Sequence, residues 1–404
     1  MEISRHQAET CDLQTLLAEI EVAACDILEC DRATVFVFDS ERNELYSCVE
    51  SRSDFVHIAA DQGIAGVSFQ SGELLNIRDA YADPRFNPSV DRETGYKTRN
   101  MLVSPLRLSN DQILGVIEVL NKHEGAFTSH DTLLLETFAA QSAVSIQRQF
   151  LMEEFVERKR LQGELAIAKQ IQQGLLPNAA PALEGFEIAG WNQPADETGG
   201  DFYDFRRLGE GKLLFMIADI AGHGLGPALL AAQCAAFERA VFSMSSNLEA
   251  GLTKINELLC EDIPDDRFAT AFLGVVESEG NRIDAISAGH EPVYIYRAAT
   301  RTVEKFPVGA LALGILKSSA YDEWLRIRFA PGDALVALTD GFLEAEDRNG
   351  NPCGEENISQ AIRSAGALSA NAIISHLHEA FMRHSQGTRQ ADDLTAIVIK
   401  RNAP

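Results

Sequence analysis

Apolar positions along this chain keep two different periods. Across Leu13–Leu28, residues Leu16, Leu17, Ile20, Val22, Ala23, Ile27 and Leu28 form a stripe at helical spacing. From Arg32 to Asp39 apolar and polar positions alternate instead, a turn follows over Asp39–Asn43, and Glu44–Val49 returns as the second strand of a hairpin. Further strands are predicted at Leu74–Ile77, Met101–Leu106 and Ile113–Leu120, and Ser129-His130-Asp131 caps another helix. Helix, antiparallel strands and closing helix define an α+β unit over residues 10–148.

Between Asp131 and Leu176 there is no proline, and Gly163 and Gly174 are the only glycines, so a long helix with at most one break is predicted, ended by Pro177. Residues 149–178 therefore read as a connector. Leu161, Leu165, Ala168 and Leu175 keep 4-3 spacing with Gln172 in the intervening place, whereas Glu153, Glu154, Glu157, Arg158, Lys159 and Arg160 crowd the upstream turns. A coiled coil and an amphipathic helix laid on one of its own domains both satisfy this pattern. Residues 179–402 then carry strand-length apolar runs at Phe186–Trp191, Lys212–Ala218, Ala269–Val276, Arg282–Ser287, Val293–Arg297, Ala334–Leu338 and Ala396–Lys400. Helices are predicted at Gly226–Met244, with Pro227 in the first turn, at Leu248–Cys260 and near Ser369–Met382.

Candidate chemistry sits at the ends of those strands. Gly199-Gly200-Asp201 precedes the run Leu213–Ala218, and Asp219-Ile220-Ala221-Gly222-His223-Gly224 follows it, which puts Asp201 and Asp219 at strand ends about one hairpin apart. A lone Asp beside Gly is normally a solvated turn residue. Here two more acidic turns follow, Thr339-Asp340-Gly341 and Asp392-Asp393-Leu394-Thr395. Converging carboxylates raise one another's pKa unless a cation neutralises them, and hard oxygen ligands suit Mg²⁺ or Mn²⁺. A binuclear centre accounts for all four turns, since two cations roughly 3.5–4 Å apart need several carboxylates and acidify a water between them.

These turns, together with Ser287-Ala288-Gly289-His290, come in the order and rough spacing of the metal-dependent protein phosphatases, and residues 165–401 resemble most the bacterial sporulation and stress-response branch of the protein phosphatase 2C-like class. The resemblance implies an α-β-β-α sandwich and hydrolysis of phosphoserine or phosphothreonine without a phosphoenzyme. It implies two Mn²⁺ or Mg²⁺ held by Asp201, Asp219, the Ile220 carbonyl, Asp340 and Asp392, with Asp393 beside them. Asp204 is expected to cap a turn, and His223 and His290 to be structural histidines bonded to backbone. Ala221 stands where this branch usually has Ser, and Ser287 where Asn is common; neither is a ligand acid. Ala168, Ile171, Gln172, Leu175, Leu176 and Pro177 resemble the segment that relays regulation into such domains. The substrate it implies is a small phosphorylated regulator such as an anti-sigma-factor antagonist.

The first unit resembles a GAF domain of the cyclic-nucleotide-phosphodiesterase type. The resemblance lies in Asp61-Gln62-Gly63-Ile64-Ala65-Gly66, Asn76–Tyr81, Asp91, Thr94–Asn100 and Gly115–Lys122. Asn121, Lys122, Phe127 and Asp131 fit four places of its five-residue signature; Thr132 stands where Glu is expected. A purine needs apolar stacking, and a cyclic phosphate needs amide and hydroxyl donors. The resemblance assigns those roles to the amides of Ile64 and Ala65 and to Asp91, Thr94, Thr98 and Glu118, with cAMP or cGMP as the regulatory ligand. By residue type alone, Thr94 and Thr98 are turn and strand residues and Glu118 an outward-facing strand acid.

Charge narrows the partners. A formal charge of −25 disfavours nucleic acid and anionic membrane. No run reaches transmembrane length and Met1–Thr10 lacks a signal-peptide pattern, so a cytoplasmic protein is expected. Cys11, Cys25, Cys30, Cys48, Cys234, Cys260 and Cys353 are scattered without a C-x-x-C pair, as in a reducing compartment. A homodimer is expected, because symmetry would give the connector a partner. Two other classes compete: a non-catalytic ligand-sensing scaffold, disfavoured by the complete acid set, and a cyclic-nucleotide metallohydrolase, which would need a histidine-rich signature that nine scattered histidines do not form.

Overall fold

The computed structural model describes residues 13–48, 55–263, 267–307 and 309–403. Val49, at the end of the expected return strand, and Cys11 lie outside them, as do the side chains of Cys48 and Thr94. Contacts divide the chain into two compact units, Met1–Arg160 and Leu161–Pro404.

In the first unit, α1 (Leu13–Leu28) leads into strands β1 (Cys30–Asp39), β2 (Glu44–Cys48) and β3 (Phe55–Ala59). Helix α2 (Gly63–Ser71), β4 (Leu75–Ile77), the short α3 (Ser89–Thr94), β5 (Met101–Arg107) and β6 (Ile113–Lys122) complete a six-stranded sheet of order β3-β2-β1-β6-β5-β4. Every pairing in it is antiparallel. Because side chains alternate along a strand, each face has its own core. Val35, Val37, Ile117 and Val119 pack against Leu17, Ala24 and Leu28 of α1 and against Leu135, Ala139 and Ile146 of α4 (Ser129–Gln173). On the opposite face, Phe36, Met101, Val103, Val116 and Leu120 pack against Ile64 and Ala65 of α2. At Gly115, which lies opposite Val37 of β1, a Cβ would stand 1.9 Å from the Phe36 carbonyl oxygen, so β6 tolerates no side chain there.

β3, α2 and α3 do not show in the sequence pattern, because each is short and too weakly periodic to register. The connector is the expected long helix without a break: α4 continues through Gly163 to Gln173, and it ends at Gly174, ahead of Pro177. One exposed helical glycine costs only about 1 kcal/mol against alanine, too little to stop a helix supported on both sides.

In the second unit, five strands form one sheet of order β14-β11-β10-β9-β8 and five form another of order β13-β12-β15-β16-β7. The ranges are β7 Phe186–Gln193, β8 Phe202–Gly209, β9 Lys212–Ile220, β10 Ala269–Glu277, β11 Arg282–Ala288, β12 Val293–Arg297, β13 Thr302–Lys305, β14 Leu325–Arg328, β15 Ala334–Leu338 and β16 Leu394–Arg401. Phe205, Phe215, Ile217, Phe272, Ile295, Leu335, Ile397 and Ile399 fill the space between the sheets. Helices α5 (Leu225–Met244) and α6 (Leu248–Asp262) cover Leu214, Met216, Ala218 and Leu273 on one outer face. After the one-turn α7 (Gly341–Glu344), helices α8 (Gly354–Ala365) and α9 (Ala370–Ser385) cover Tyr294, Val336, Leu338 and Val398 on the other. This is the expected α-β-β-α sandwich. Burial of the inner strands on both faces is why they read as continuous apolar runs rather than alternating ones. Among the described residues no helix is long and apolar enough to cross a membrane.

The signature residues of the first unit are structural ties. Lys122 Nζ lies 3.2 Å from Asp131 Oδ1 and donates to the Leu28 carbonyl at 2.9 Å, while Asp131 Oδ2 accepts from the Thr128 amide and hydroxyl. Removing Asp131 leaves the mostly buried Lys122 only the exposed Glu29 carboxylate, at 3.6 Å, as a charge partner. Asp131→Ala is therefore expected to destabilise the first unit by about 3 kcal/mol, read as a lowered urea midpoint of its transition; an unchanged midpoint would show that the pair contributes nothing net.

Candidate metal centre

Four strand ends meet at one edge of the sandwich. β8 and β9 form a tight hairpin in which Phe202 pairs with Ala218, so Asp201 and Asp219 follow as neighbours at its open end. In the other sheet β15 and β16 are antiparallel, with Leu338 opposite Ala396, which brings Asp340 and Asp392-Asp393 to the same edge. Thr339 joins the two sheets. Its hydroxyl donates to Asp201 Oδ2 at 2.7 Å and accepts from the Thr395 amide at 2.9 Å. Asp393 accepts from the Ala195 amide at 2.8 Å and from the Asp201 amide at 3.4 Å. A Cβ on Gly199 would stand 2.2 Å from Asp393 Oδ2, so this approach requires glycine.

The acids repel one another. Burial raises the Asp201 carboxyl well above the usual range, and Asp219 and Asp393 add to it. Burial, then Asp340 and Asp392, push Asp219 up to about 7. Burial, Asp392 and Glu344 push Asp340 up to about 6, and burial raises Asp393. Among the described residues no three His, Cys, Asp or Glu side chains are already set as a closed metal cage. The donor set is nevertheless all hard oxygen, with charge in excess of what a folded interior tolerates, and this is the chemistry that Mg²⁺ or Mn²⁺ satisfies.

Other candidates are placed differently. Asp204 is bonded to Arg239 Nε at 2.7 Å and to the Phe205 amide at 2.8 Å, and so anchors β8 to α5. His290 is buried, shares a 3.0 Å hydrogen bond with Thr270 through Nδ1, and is pushed down to about 4 by burial, so it is neutral at neutral pH. His223 departs from the expectation of a structural histidine held by backbone. Its side chain is 70% exposed and Nδ1 lies 3.3 Å from Asp196 Oδ2, because the turn runs through Gly222 and Gly224 at positive φ and turns the ring outward. Arg389 binds the same carboxylate at 2.7 Å. Gln172 stands in the sequence at a heptad position and within the segment that resembles a regulatory relay, and neither assigns it a contact. It grips Gly199 with both ends of its amide, Nε2 donating to the carbonyl and Oε1 accepting from the amide at 3.1 Å. No local pattern could have revealed the Asp196, Arg239 or Arg389 contacts.

In the first unit, Ile64 and Ala65 lie buried in the first turn of α2, and Gln62 ahead of them makes no side-chain cap. Asp91 and Thr98 are brought into direct contact. The Thr98 amide and hydroxyl donate to Asp91 at 2.7 and 2.9 Å, and the Tyr81 hydroxyl donates to it at 3.0 Å. Thr94 ends α3. Glu118 is half-buried and sits between Val116 and Leu120 in the alternation of β6, on the face that meets α2; burial pushes it up to about 7. It pairs across the sheet with Thr34 and Val103.

Two stacked antiparallel sheets flanked by helix pairs, with acids gathered at one edge, define the protein phosphatase 2C-like class. Residues 209–402 match the family described as Stage II sporulation protein E (SpoIIE), and residues 12–146 match the GAF domain. The chain thus carries a GAF domain followed by a phosphatase domain of the SpoIIE type. It is 28% identical over 268 residues to Protein IcfG of Synechocystis, covering 59% of this chain and 42% of that relative. It is 26% identical over 250 residues to Phosphoserine phosphatase RsbU of Bacillus subtilis, covering 60% and 72%. Over 155 residues it is 30% identical to Probable 3',5'-cyclic phosphodiesterase pde-5 of Caenorhabditis elegans, covering 35% of this chain and 21% of that one. The chain thus spans less than half the length of two of these curated relatives. The SiaA-PP2C domain of Pseudomonas aeruginosa shares the fold, with a TM-score of 0.54 at 21% identity over 61% of this chain and 98% of that one.

Unfolded aspartates titrate near 3.9. With Asp219 at about 7 and Asp340 at about 6 in the folded chain, the metal-free fold keeps protons that the unfolded chain has lost. These groups therefore weaken it as pH rises from about 4 to 7. Metal-free Asp219→Asn should melt at least ~2 °C above metal-free wild type at pH 8, with the gap closing toward pH 4, by calorimetry in EDTA. Equal melting at pH 8 would mean that the repulsion is absent.

Proposed function

We propose that the C-terminal domain is a serine/threonine protein phosphatase that works with two Mn²⁺ or Mg²⁺. Asp219 would face both ions, and Asp201, Asp340, Asp392 and the Ile220 carbonyl would complete the set, with Asp393 fixing the Gly199–Asp201 backbone. When bound, such ions supply an acidified water and offset the charge of a phosphoryl group. The chain's own part is positional: Thr339 fixes the rotamer of Asp201, Gln172 holds Gly199 at both ends of its peptide, and Gly199 lets Asp393 approach the first acid turn. The observation that carries this reading is the convergence of five mutually repelling carboxylates from two sheets on one edge. RsbU, similar over most of its own length, is by name a phosphoserine phosphatase. A phosphorylated anti-sigma-factor antagonist in the cytoplasm is the substrate class we favour.

The GAF domain, in this reading, binds cAMP or cGMP on the sheet face that carries Glu118, with the Ile64 and Ala65 amides toward the phosphate. Asp91 and Thr98 would shape the wall, and Thr94 would lie beside them. Likeness to a cyclic phosphodiesterase supports the ligand class. A homodimer is supported by Leu151, Met152, Phe155 and Val156, large apolar side chains exposed in succession on α4.

With p-nitrophenyl phosphate, hydrolysis is expected to need Mn²⁺ and to vanish in EDTA. Asp219→Ala or Asp340→Ala should lower kcat by at least about a thousandfold while circular dichroism stays native. Turnover retained in either variant would remove the site assignment. In calorimetric titrations with cAMP and cGMP, Thr98→Ala should weaken whichever nucleotide binds by about tenfold, because Asp91 loses the buried hydroxyl that holds its carboxylate in the wall. Equal affinity would exclude Thr98 from the binding wall.

A further inference from the structure

A phosphate monoester brings nearly two negative charges to the site, and besides the ions proposed above, a guanidinium of the chain would orient its oxygens. Around the acid edge the basic side chains are otherwise engaged. Arg239 lies 2.7 Å from Asp204, Arg206 lies 3.4 Å from Glu238, and His223 and Arg389 both hold Asp196.

Arg267 differs. It lies two residues before β10, half-exposed, and its Nη1 donates to the Ala221 carbonyl at 2.8 Å. Ala221 is two residues beyond Asp219, and its own amide donates to the Phe268 carbonyl at 3.0 Å, so the Arg267 backbone is tied to the same turn. A Cβ on Gly222 would stand 2.6 Å from Arg267 Nη1, and one on Gly200 would stand 3.3 Å from the Gly222 carbonyl oxygen. The guanidinium therefore rests on the backbone of one acid turn, which in turn touches the other. Among the described residues its one hydrogen-bond acceptor is that carbonyl, and no carboxylate stands within ion-pair distance. A guanidinium has five N–H donors in a fixed fork that matches two phosphoryl oxygens.

We infer that Arg267 is the phosphate-binding cation of the site, gripping the phosphoryl oxygens of a phosphate monoester. This rests on the phosphatase reading above. Anchoring through Nη1 leaves the other edge of the fork for the ligand and fixes its direction in advance, so little side-chain entropy is lost on binding.

The test uses the full chain, Mn²⁺, p-nitrophenyl phosphate and inorganic phosphate as a competing product. Arg267→Gln, which keeps an N–H donor and loses the charge, is expected to raise KM and the phosphate inhibition constant about tenfold or more. The Mn²⁺ concentration for half activation should stay within about twofold of wild type, and Arg267→Lys should restore part of the loss. Unchanged KM and inhibition constant in Arg267→Gln would overturn the assignment. So would a rise matched by an equal loss of Mn²⁺ affinity, because Arg267 would then be holding the turn rather than the phosphate. Wild-type chain that hydrolyses nothing under these conditions would instead sink the phosphatase reading, and the role of Arg267 with it.

Discussion

Repulsion among buried carboxylates is the constraint around which the second domain is built. Five acids drawn from four strand ends repel one another at a partly buried edge, and a fold that keeps them there has to hold them by other means. It does so with backbone. The β8–β9 hairpin fixes Asp201 against Asp219, the β15–β16 pair fixes Asp340 near Asp392, and Thr339 ties the sheets across the gap with one hydroxyl. Carboxyls pushed up by burial and by one another cluster at functional sites.

Much of this was legible because the acids are local landmarks. Each stands at the boundary between an apolar run and a glycine-containing or polar turn, and the runs are unusually apolar because both sheet faces are covered. The sandwich and the edge that collects the acids follow from those two features. What stayed hidden is whatever depends on distant partners. Asp196 meets Arg389 across almost the whole domain, and Gln172 meets Gly199 across the connector end; neither leaves a local signature. His223 was misjudged for a related reason. The sequence pattern points to a histidine bonded to backbone, whereas the ring is exposed and lies against Asp196, a partner 27 residues away in sequence that no local pattern names.

The GAF domain shows the opposite balance. Its most recognisable residues, Asn121, Lys122 and Asp131, are structural. Asn121 takes a left-handed conformation and its side chain bonds the Arg99 amide, while Lys122 and Asp131 clamp α4 to the end of α1. A signature of this kind marks the fold and says little about the ligand. The chemically distinctive residue is Glu118, a plain strand acid in the sequence, which becomes unusual only because the sheet face around it is apolar.

The register of the β8–β9 hairpin also bears on how the domain can change length. Strand pairing runs from Phe202 opposite Ala218 to the two-residue turn at Glu210-Gly211, with an irregularity at Arg207 and Gly209. Inserting or deleting one residue there would slide Asp201 past Asp219 and exchange inward for outward side chains along the strand. The turn between β12 and β13, around Thr300, belongs to the outermost pair of the other sheet and carries none of the acids. Length variation, tags or grafted segments therefore belong at that tip, while the acid hairpin acts as a ruler whose length is set by the two carboxylates it holds apart.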